Sequence, residues 1–507
     1  MSQINVSNLS FCYDGSYDNI FENVSFSVDT NWKLGLIGRN GKGKTTFLNL
    51  LMGKYQYTGV IDSDTSVEYF PYKINENQMC MCAGEFIDEI KPGCELWRVI
   101  CELSLLGEDA EILYRTFGQL SPGQRTKILL AVLFSGENEF LLIDEPTNHL
   151  DSTAREKIKE YLASKSGFIL VSHDRELLDF CTDHVLVLNR KSIEVQNGNF
   201  SVWWENKQKK DSFAVSENEK HKKEIKKLSQ AAYRVSEWAD KNETSKIGFD
   251  TVKEHDRCIS TRAYIGAKTK KMQSRVKNIE KRIGRQIAEK EGLLADIERV
   301  KELKLSPVPF YKKTLIYFRN YCFSYTGSGR PVLTDLSFTV ERGDRIALHG
   351  ENGCGKTTVI KKILHGLGIA ELSPFEEKGT CEISSGLKVS FLSQDTSWLK
   401  GSVQDLCDIK GIDRSLFSTI LRQLGFERAQ FDKNIENYSE GQKKKVLIAA
   451  SLSEQANIYI WDEPLNYIDI FSRMQIENLI MEYKPTMLFV EHDTMFREKI
   501  ANKVILL

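Results

Sequence analysis

The sequence predicts an α/β protein of two homologous domains joined by a long antiparallel α-helical hairpin. Three observations carry this reading. An ordered set of short motifs occurs twice, and each set holds a strand, a glycine-rich loop and a helix. The segment between the sets is charged, with apolar residues at seven-residue periodicity. A length of 507 residues agrees, because single cores rarely grow beyond about 250–300 residues. The formal charge of −1, from 69 basic and 70 acidic residues, argues against a nucleic-acid binder only as an average, which hides any charged domain.

The first motif set opens with an aromatic segment, SFCYDG, matched later by CFSYTG, so that Tyr13 corresponds to Tyr325 at an offset of 312. GRNGKGKTT matches GENGCGKTT at the same offset, LSPGQ matches YSEGQ and LLIDEPTNHLD matches YIWDEPLNYID at 318, and VSHD matches VEHD at 319. Five landmarks in one order place homologous domains at 1–200 and 312–507, with a different element over 201–311.

Each G-x-x-x-x-G-K-T follows an apolar strand pattern, KLGLI or RIALH, and precedes a helical run. That context marks a phosphate-binding loop, here Gly38, Asn40, Gly41, Gly43, Lys44, Thr45 and Thr46. Its second copy is Gly350, Asn352, Gly353, Gly355, Lys356, Thr357 and Thr358. The glycines let backbone N–H groups turn inward, the lysine reaches the β/γ-phosphates and the first threonine offers its hydroxyl to Mg²⁺. Apolar strands then end in Asp144-Glu145 and Asp462-Glu463: the aspartate can hold Mg²⁺ through water and the glutamate can polarise the attacking water. His173 and His492, each after an apolar strand, are candidates to sense the γ-phosphate.

Ser-x-Gly-Gln before a basic helix, followed by D-E-P and a histidine, resembles the nucleotide-binding domains of ATP-binding cassette proteins. The resemblance covers about 400 of the 507 residues. It implies two P-loop ATP-binding cassettes stacked head to tail, each ATP held by one cassette's phosphate loop and the other's signature. Site one is then Tyr13, Lys44, Thr45, Asp144, Glu145 and His173, completed by Ser439, Gly441 and Gln442. Site two is Tyr325, Lys356, Thr357, Gln394, Asp462, Glu463 and His492, completed by Ser121, Gly123 and Gln124. ATP would act as the glue, and its hydrolysis would set an open–closed equilibrium. Two departures stand out. Pro122 and Glu440 replace one glycine of the usual signature pair, and Tyr72 stands where the second cassette has Gln394.

Over 207–304 there are 26 Lys and Arg against 16 Asp and Glu. Ile225, Leu228, Ala232, Val235 and Ala239 set a 3,4 rhythm that Val276, Ile279, Ile283, Leu293, Ile297 and Val300 continue beyond a break near 242–260. This predicts a helical hairpin with its tip in the break. A first helix of about 38 residues would extend roughly 57 Å at ~1.5 Å per residue. From Arg257 to Arg285 ten residues are basic and one, Glu280, is acidic. Arg257, Arg262, Lys268, Lys270, Lys271 and Arg275 are candidate RNA contacts, the alternative being a solvated coiled-coil face. Phe249 and Tyr264 could stack on bases or pack within the loop.

Two cassettes joined by a charged hairpin, with D-E-P-T-N-H-L-D in the first, resemble the ABC-F translation factors, most closely the antibiotic-resistance (Lsa-like) branch. NWKLGLIGRNGKGKTT and IYIWDEPLNYID carry that likeness. Lys44 to Ser121 spans 77 residues against 83 in the second cassette, leaving no room for the arm of housekeeping members, and only 15 residues follow His492. The resemblance implies ATP and Mg²⁺ as cofactors and, as partners, the 70S ribosome, 23S rRNA and P-site tRNA, without membrane subunits. The implied role is displacement of lincosamides, pleuromutilins and streptogramin A compounds by a monomer with an intramolecular sandwich. A housekeeping ABC-F factor and the tandem ATPase of an importer are the alternatives. The start, MSQINVSNLSFCYDG, lacks signal-peptide regions, the longest apolar run is 128–134, and eleven cysteines include no C-x-x-C pair. Together these predict a cytoplasmic protein with reduced thiols.

Overall fold

A computed structural model of the chain describes residues 2–13, 19–148, 150–189, 192–244, 270, 274–279, 281–286, 305–326, 331–426 and 428–507. Each cassette sets a three-stranded antiparallel sheet beside a mainly parallel one. In the first, the strand order of the larger sheet is Ser66–Phe70, Glu139–Asp144, Phe168–Val171, Lys33–Ile37, His184–Leu188 and Ile193–Asn197. In the second it is Val389–Leu392, Ile458–Asp462, Met487–Val490, Arg345–His349 and Lys503–Leu506. The central strands are near-continuous apolar runs because both faces are covered: all four residues of Phe168–Val171 and of Met487–Val490 are buried.

This order positions the chemistry. The phosphate loop, the Asp-Glu pair and the histidine leave the carboxyl ends of three adjacent parallel strands, the crevice where open α/β sheets bind ligands. The register also fixes an equivalence. Phe70 pairs with Ile143 and Leu392 with Trp461, so Tyr72 stands where the second cassette has Gln394.

Met1–Trp203 together with Lys301–Leu507 form one compact unit, and Trp204–Val300 forms another. The connector is therefore shorter than 201–311. Leu305 and Phe310 belong to second-cassette cores, and Val308 donates its N–H to Ala456 O at 2.9 Å. The first connector helix, Phe200–Thr244, has 45 residues and not about 38, because it begins on the first cassette, where Phe200 and Trp203 are buried. Ile225 and Leu228 are half-buried along it, in line with Asn218 and His221, which the apolar rhythm did not include. In the returning segment Val276 and Ile283 are buried while Ile279 is 43% exposed, so the expected stripe holds only at seven-residue spacing. The expected tip at 242–260 lies, from 245 onward, outside the described residues, as do Phe249 and Tyr264.

Candidate composite ATP sites

Both phosphate loops turn on left-handed glycines, Gly41 and Gly43 at φ 80° and 90°, and Gly353 and Gly355 at 86° and 104°. The second of each pair is also hemmed in: a Cβ on Gly43 would come within 2.7 Å of Ile20, and one on Gly355 within 2.6 Å of Leu333. Lys44 Nζ donates to Gly38 O at 2.7 Å and Asn40 Oδ1 at 3.2 Å, and Lys356 Nζ to Gly350 O at 2.7 Å and Glu351 O at 2.8 Å. Each ammonium keeps a third N–H for a phosphate oxygen. Burial lowers the pKa of Lys44, an effect opposed by Asp469 of the other cassette and by Glu145 and Asp144.

The catalytic candidates are held under strain. Glu145 and Glu463 adopt φ of 51° and 47°, and their amides are tied to Val171 O at 2.9 Å and Val490 O at 3.0 Å. Left-handed non-glycine backbone of this kind costs of order 1–3 kcal/mol and clusters at functional sites. His173 Nε2 stands 3.5 Å from Glu145, and His492 Nε2 3.6 Å from Glu463.

The two carboxylates nevertheless have different surroundings. Glu463 accepts from Gln394 Nε2 at 2.8 Å and Asn466 Nδ2 at 2.7 Å. Burial pushes its pKa up, but His492, Lys444 and Asn466 outweigh burial and hold it below the usual range. Among the described residues Glu145 Oε1 is buried without a hydrogen-bond partner, and burial, with Asp144 beside it, raises that carboxyl to about 8. Burial also holds His173 well below the ordinary imidazole value.

Tyr72 does not substitute for glutamine. Its hydroxyl is buried toward Glu68, Glu139 and Cys94, and burial and those groups raise its pKa. Tyr69, three residues earlier, reaches the site instead and donates to Asp144 Oδ2 at 3.2 Å. Thr45 Oγ1 lies 3.4 Å from the same oxygen. In the second cassette Asp462 Oδ1 is buried without a hydrogen-bond partner among the described residues, and burial with Glu463 nearby raises Asp462 to about 6. The unpartnered Asp462 oxygen and the desolvated Asp144 carboxylate beside Thr45 fit a divalent cation. Thr45 with Asp144, and Thr357 with Asp462 and Gln394, are the residues that would hold Mg²⁺, which would supply charge neutralisation at the phosphates. Among the described residues no group of three or more His, Cys, Asp or Glu forms a separate metal cluster.

Each signature serine caps its helix: Ser121 Oγ accepts from Gln124 N at 3.2 Å, and Ser439 Oγ from Gln442 N at 3.4 Å. Pro122 occupies the first helical turn, where its missing N–H costs nothing. Glu440 is turned back by Thr396 Oγ1 at 2.7 Å and Lys443 Nζ at 3.0 Å, which hold its pKa down. The cassettes meet as the head-to-tail arrangement requires. Asn40 Nδ2 donates to Tyr467 O at 2.9 Å, and a Cβ on Gly441 would lie 3.3 Å from that Asn40 nitrogen. Asn352 shares a cavity with Ser121, Gly123 and Gln124. Tyr13 Oη is 2.7 Å from Thr46 Oγ1 and Tyr325 Oη 3.4 Å from Thr358 Oγ1, which places both aromatic candidates at the helix after the loop.

A family model described as "ABC transporter" matches residues 21–148 and 333–466, more than half of the chain. The chain belongs to the ABC transporter family. ABC ATP-binding cassettes hydrolyse ATP, so the chain is an ATPase. Relatives of these ABC cassettes include the ribosome protection protein VmlR of Bacillus subtilis (strain 168), 27% identical over 98% of this chain and 85% of the relative. The ATP-binding protein Uup of Buchnera aphidicola subsp. Acyrthosiphon pisum (strain APS) is 27% identical over 99% and 80%. The erythromycin resistance ATP-binding protein MsrA of Staphylococcus epidermidis is 27% identical over 93% and 91%. These relatives are ABC-F proteins. Among solved structures, the complex of archaeal ribosomal stalk protein aP1 with archaeal ribosome recycling factor aABCE1 aligns at TM-score 0.60 and 18% identity over 98% of this chain and 87% of that one. An RNase-L inhibitor aligns at 0.59 and 17% over 99% and 87%. Both likenesses are of fold. Among the described residues no helix is long and apolar enough to cross a membrane.

The repeat also contained residues beside the sites that the motifs did not announce. Asn466 and Arg155 line the cavity at the second phosphate loop, and Arg155 and Arg473 share the 318 offset of the D-E pairs. Tyr69 had no motif to announce it. Of the RNA-contact candidates, Lys270 and Arg275 are helical and exposed, and Arg257, Arg262, Lys268 and Lys271 lie outside the described residues.

Proposed function

We propose that this ABC protein is an ATP-driven ribosome-protection factor. The observation that carries the reading is the joining of two mutually completing cassettes by a basic helical connector, in a chain 98% of which aligns with a ribosome protection protein. ATP held in both composite sites closes the cassettes on the ribosomal exit site. The connector then contacts P-site tRNA and 23S rRNA and dislodges a peptidyl-transferase inhibitor of the lincosamide, pleuromutilin or streptogramin A classes. Hydrolysis, with Glu145 and Glu463 polarising water, releases the factor. It acts in the cytoplasm on the 70S ribosome, as a monomer and without membrane subunits.

The test is the double variant Glu145→Gln with Glu463→Gln. In ATP it should co-sediment with ribosomes at levels where the parent chain does not, and absence of trapping would sink the mechanism. A housekeeping translation factor is the second reading, since a relative at the same identity, Uup, is named only as an ATP-binding protein. Expression in a susceptible bacterium separates the two: unchanged inhibitory concentrations for every peptidyl-transferase drug would select the housekeeping role.

A further inference from the structure

Arg155 and Arg473 are repeat equivalents, each four residues past the aspartate that caps its helix. Arg473 is committed within its own cassette: Nε donates to Ile468 O at 2.9 Å, one terminal nitrogen to Leu465 O at 2.9 Å and the other to Asp493 at 3.0 Å. Among the described residues Arg155 makes one hydrogen bond, from Nε to Leu150 O at 3.0 Å, and its terminal nitrogen stands 3.9 Å from Asp174. The guanidinium's remaining N–H groups are thus available, in the planar fork that matches phosphate oxygens. Its setting supplies a reason. Arg155 lines a cavity of about 320 Å³ in company with Lys356, Gln394, Glu463 and His492, all residues of the opposite cassette.

We infer that Arg155 is supplied in trans by the first cassette to the terminal phosphate of a nucleotide held on the second cassette's loop. The inference rests on the composite-site reading above and adds a residue that reading lacks. A cation placed there stabilises charge that ATP carries and ADP does not, so it makes the second site sensitive to the γ-phosphate only when the first cassette is docked. Because Arg473 donates three times within its own cassette, the device is one-sided. Site two discriminates ATP from ADP more strongly than site one.

The test uses the full chain in a Lys44→Ala background, which confines loop binding to the second cassette. Dissociation constants are measured with Mg²⁺ for ADP and for a non-hydrolysable ATP analogue. Arg155→Met should weaken the analogue roughly tenfold or more, the scale of one charge-assisted hydrogen bond, while ADP binding stays within about twofold. Arg155→Lys should recover part of the loss, and both variants should melt at the parent temperature. Equal losses for the two nucleotides, or a loss that Lys does not relieve, would make Arg155 a support for the Leu150 turn and overturn the inference, as would no change. Retained binding of both nucleotides in Lys44→Ala with Lys356→Ala would instead overturn the ATP-site reading, and the inference with it.

Discussion

Arg175 of the first cassette is ion-paired with Glu477 of the second, and both side chains are buried, Glu477 completely. One guanidinium nitrogen also donates to Glu477 Oε2 at 3.3 Å, and Lys499 reaches the same carboxylate at 3.0 Å. The pair breaks the repeat. Glu477 corresponds to Lys159, which pairs within the first cassette with Glu156 and Glu176. Removing one partner of a buried pair leaves an uncompensated charge and costs about 3–5 kcal/mol, while replacing both with apolar groups is often neutral. Glu477→Leu, which strands two cations, should therefore lower the denaturation midpoint more than Arg175→Met. Arg175→Met with Glu477→Leu should recover much of the loss, and additive effects would show that the pair does not couple the cassettes.

The Gln394–Glu463 hydrogen bond leads to a second expectation. With Glu145→Gln silencing site one, Gln394→Ala should lower turnover at site two roughly tenfold or more, because Glu463 loses a donor that orients it. Tyr72→Phe should leave turnover unchanged, since its hydroxyl is buried toward Glu68, Glu139 and Cys94 and away from Asp144 and Glu145. A fall in turnover for Tyr72→Phe would mean that this hydroxyl reaches the site during the cycle.

These two cases mark what the sequence could and could not disclose. Lys44, Thr45, Asp144, Glu145 and His173 were legible because each follows a short strand at a fixed place in a duplicated order, and the fold delivers strand ends to one crevice. Tyr69 was not legible: it is one aromatic in YFPYK, and only the parallel pairing of Phe70 with Ile143 decides which ring faces Asp144. Asymmetries across the cassette interface, Arg175 with Glu477 above all, join residues some 300 positions apart and leave no periodic trace. Ile279 shows the opposite failure. Its 3,4 rhythm was real, yet of the three described positions only the two seven residues apart, Val276 and Ile283, are buried.

That seven-residue seam can be tested directly. Val276→Ala and Ile283→Ala remove buried methyl groups and should each cost about 1–3 kcal/mol of local stability, whereas Ile279→Ala should stay within about 0.5 kcal/mol. Hydrogen exchange over 274–286 would then quicken roughly tenfold for the first two and hardly for the third. Equal effects at all three positions would dispose of the seam.

For the charge on the connector, neutralising Lys268, Lys270, Lys271 and Arg275 together should weaken ribosome binding and flatten its dependence on salt, because fewer counterions are released on contact. ATP hydrolysis off the ribosome should persist. Ribosome affinity unchanged at every salt concentration would leave these residues as a solvated face.

Glu491 gives a pH signature confined to the second cassette. Its two oxygens accept the N–H groups of Leu465 at 3.1 Å and His492 at 3.0 Å, and burial, opposed by Arg473, raises its pKa to about 7. A folded-state value above the unfolded carboxyl range means that the native chain binds the proton more tightly. The corresponding stability is fully present below about pH 4.5 and is lost as pH rises to about 7, a change on the order of 3 kcal/mol. Glu491→Gln cannot titrate, and its amide group faces one of the two N–H donors, so it should be less stable than the parent at pH 5 by about 1–3 kcal/mol. Its loss of stability between pH 5 and pH 8 should be smaller than the parent's by a similar or larger amount. Denaturant midpoints of the second-cassette transition at both pH values read this difference, and parallel pH profiles for the two proteins would show that Glu491 stays ionised in the folded chain.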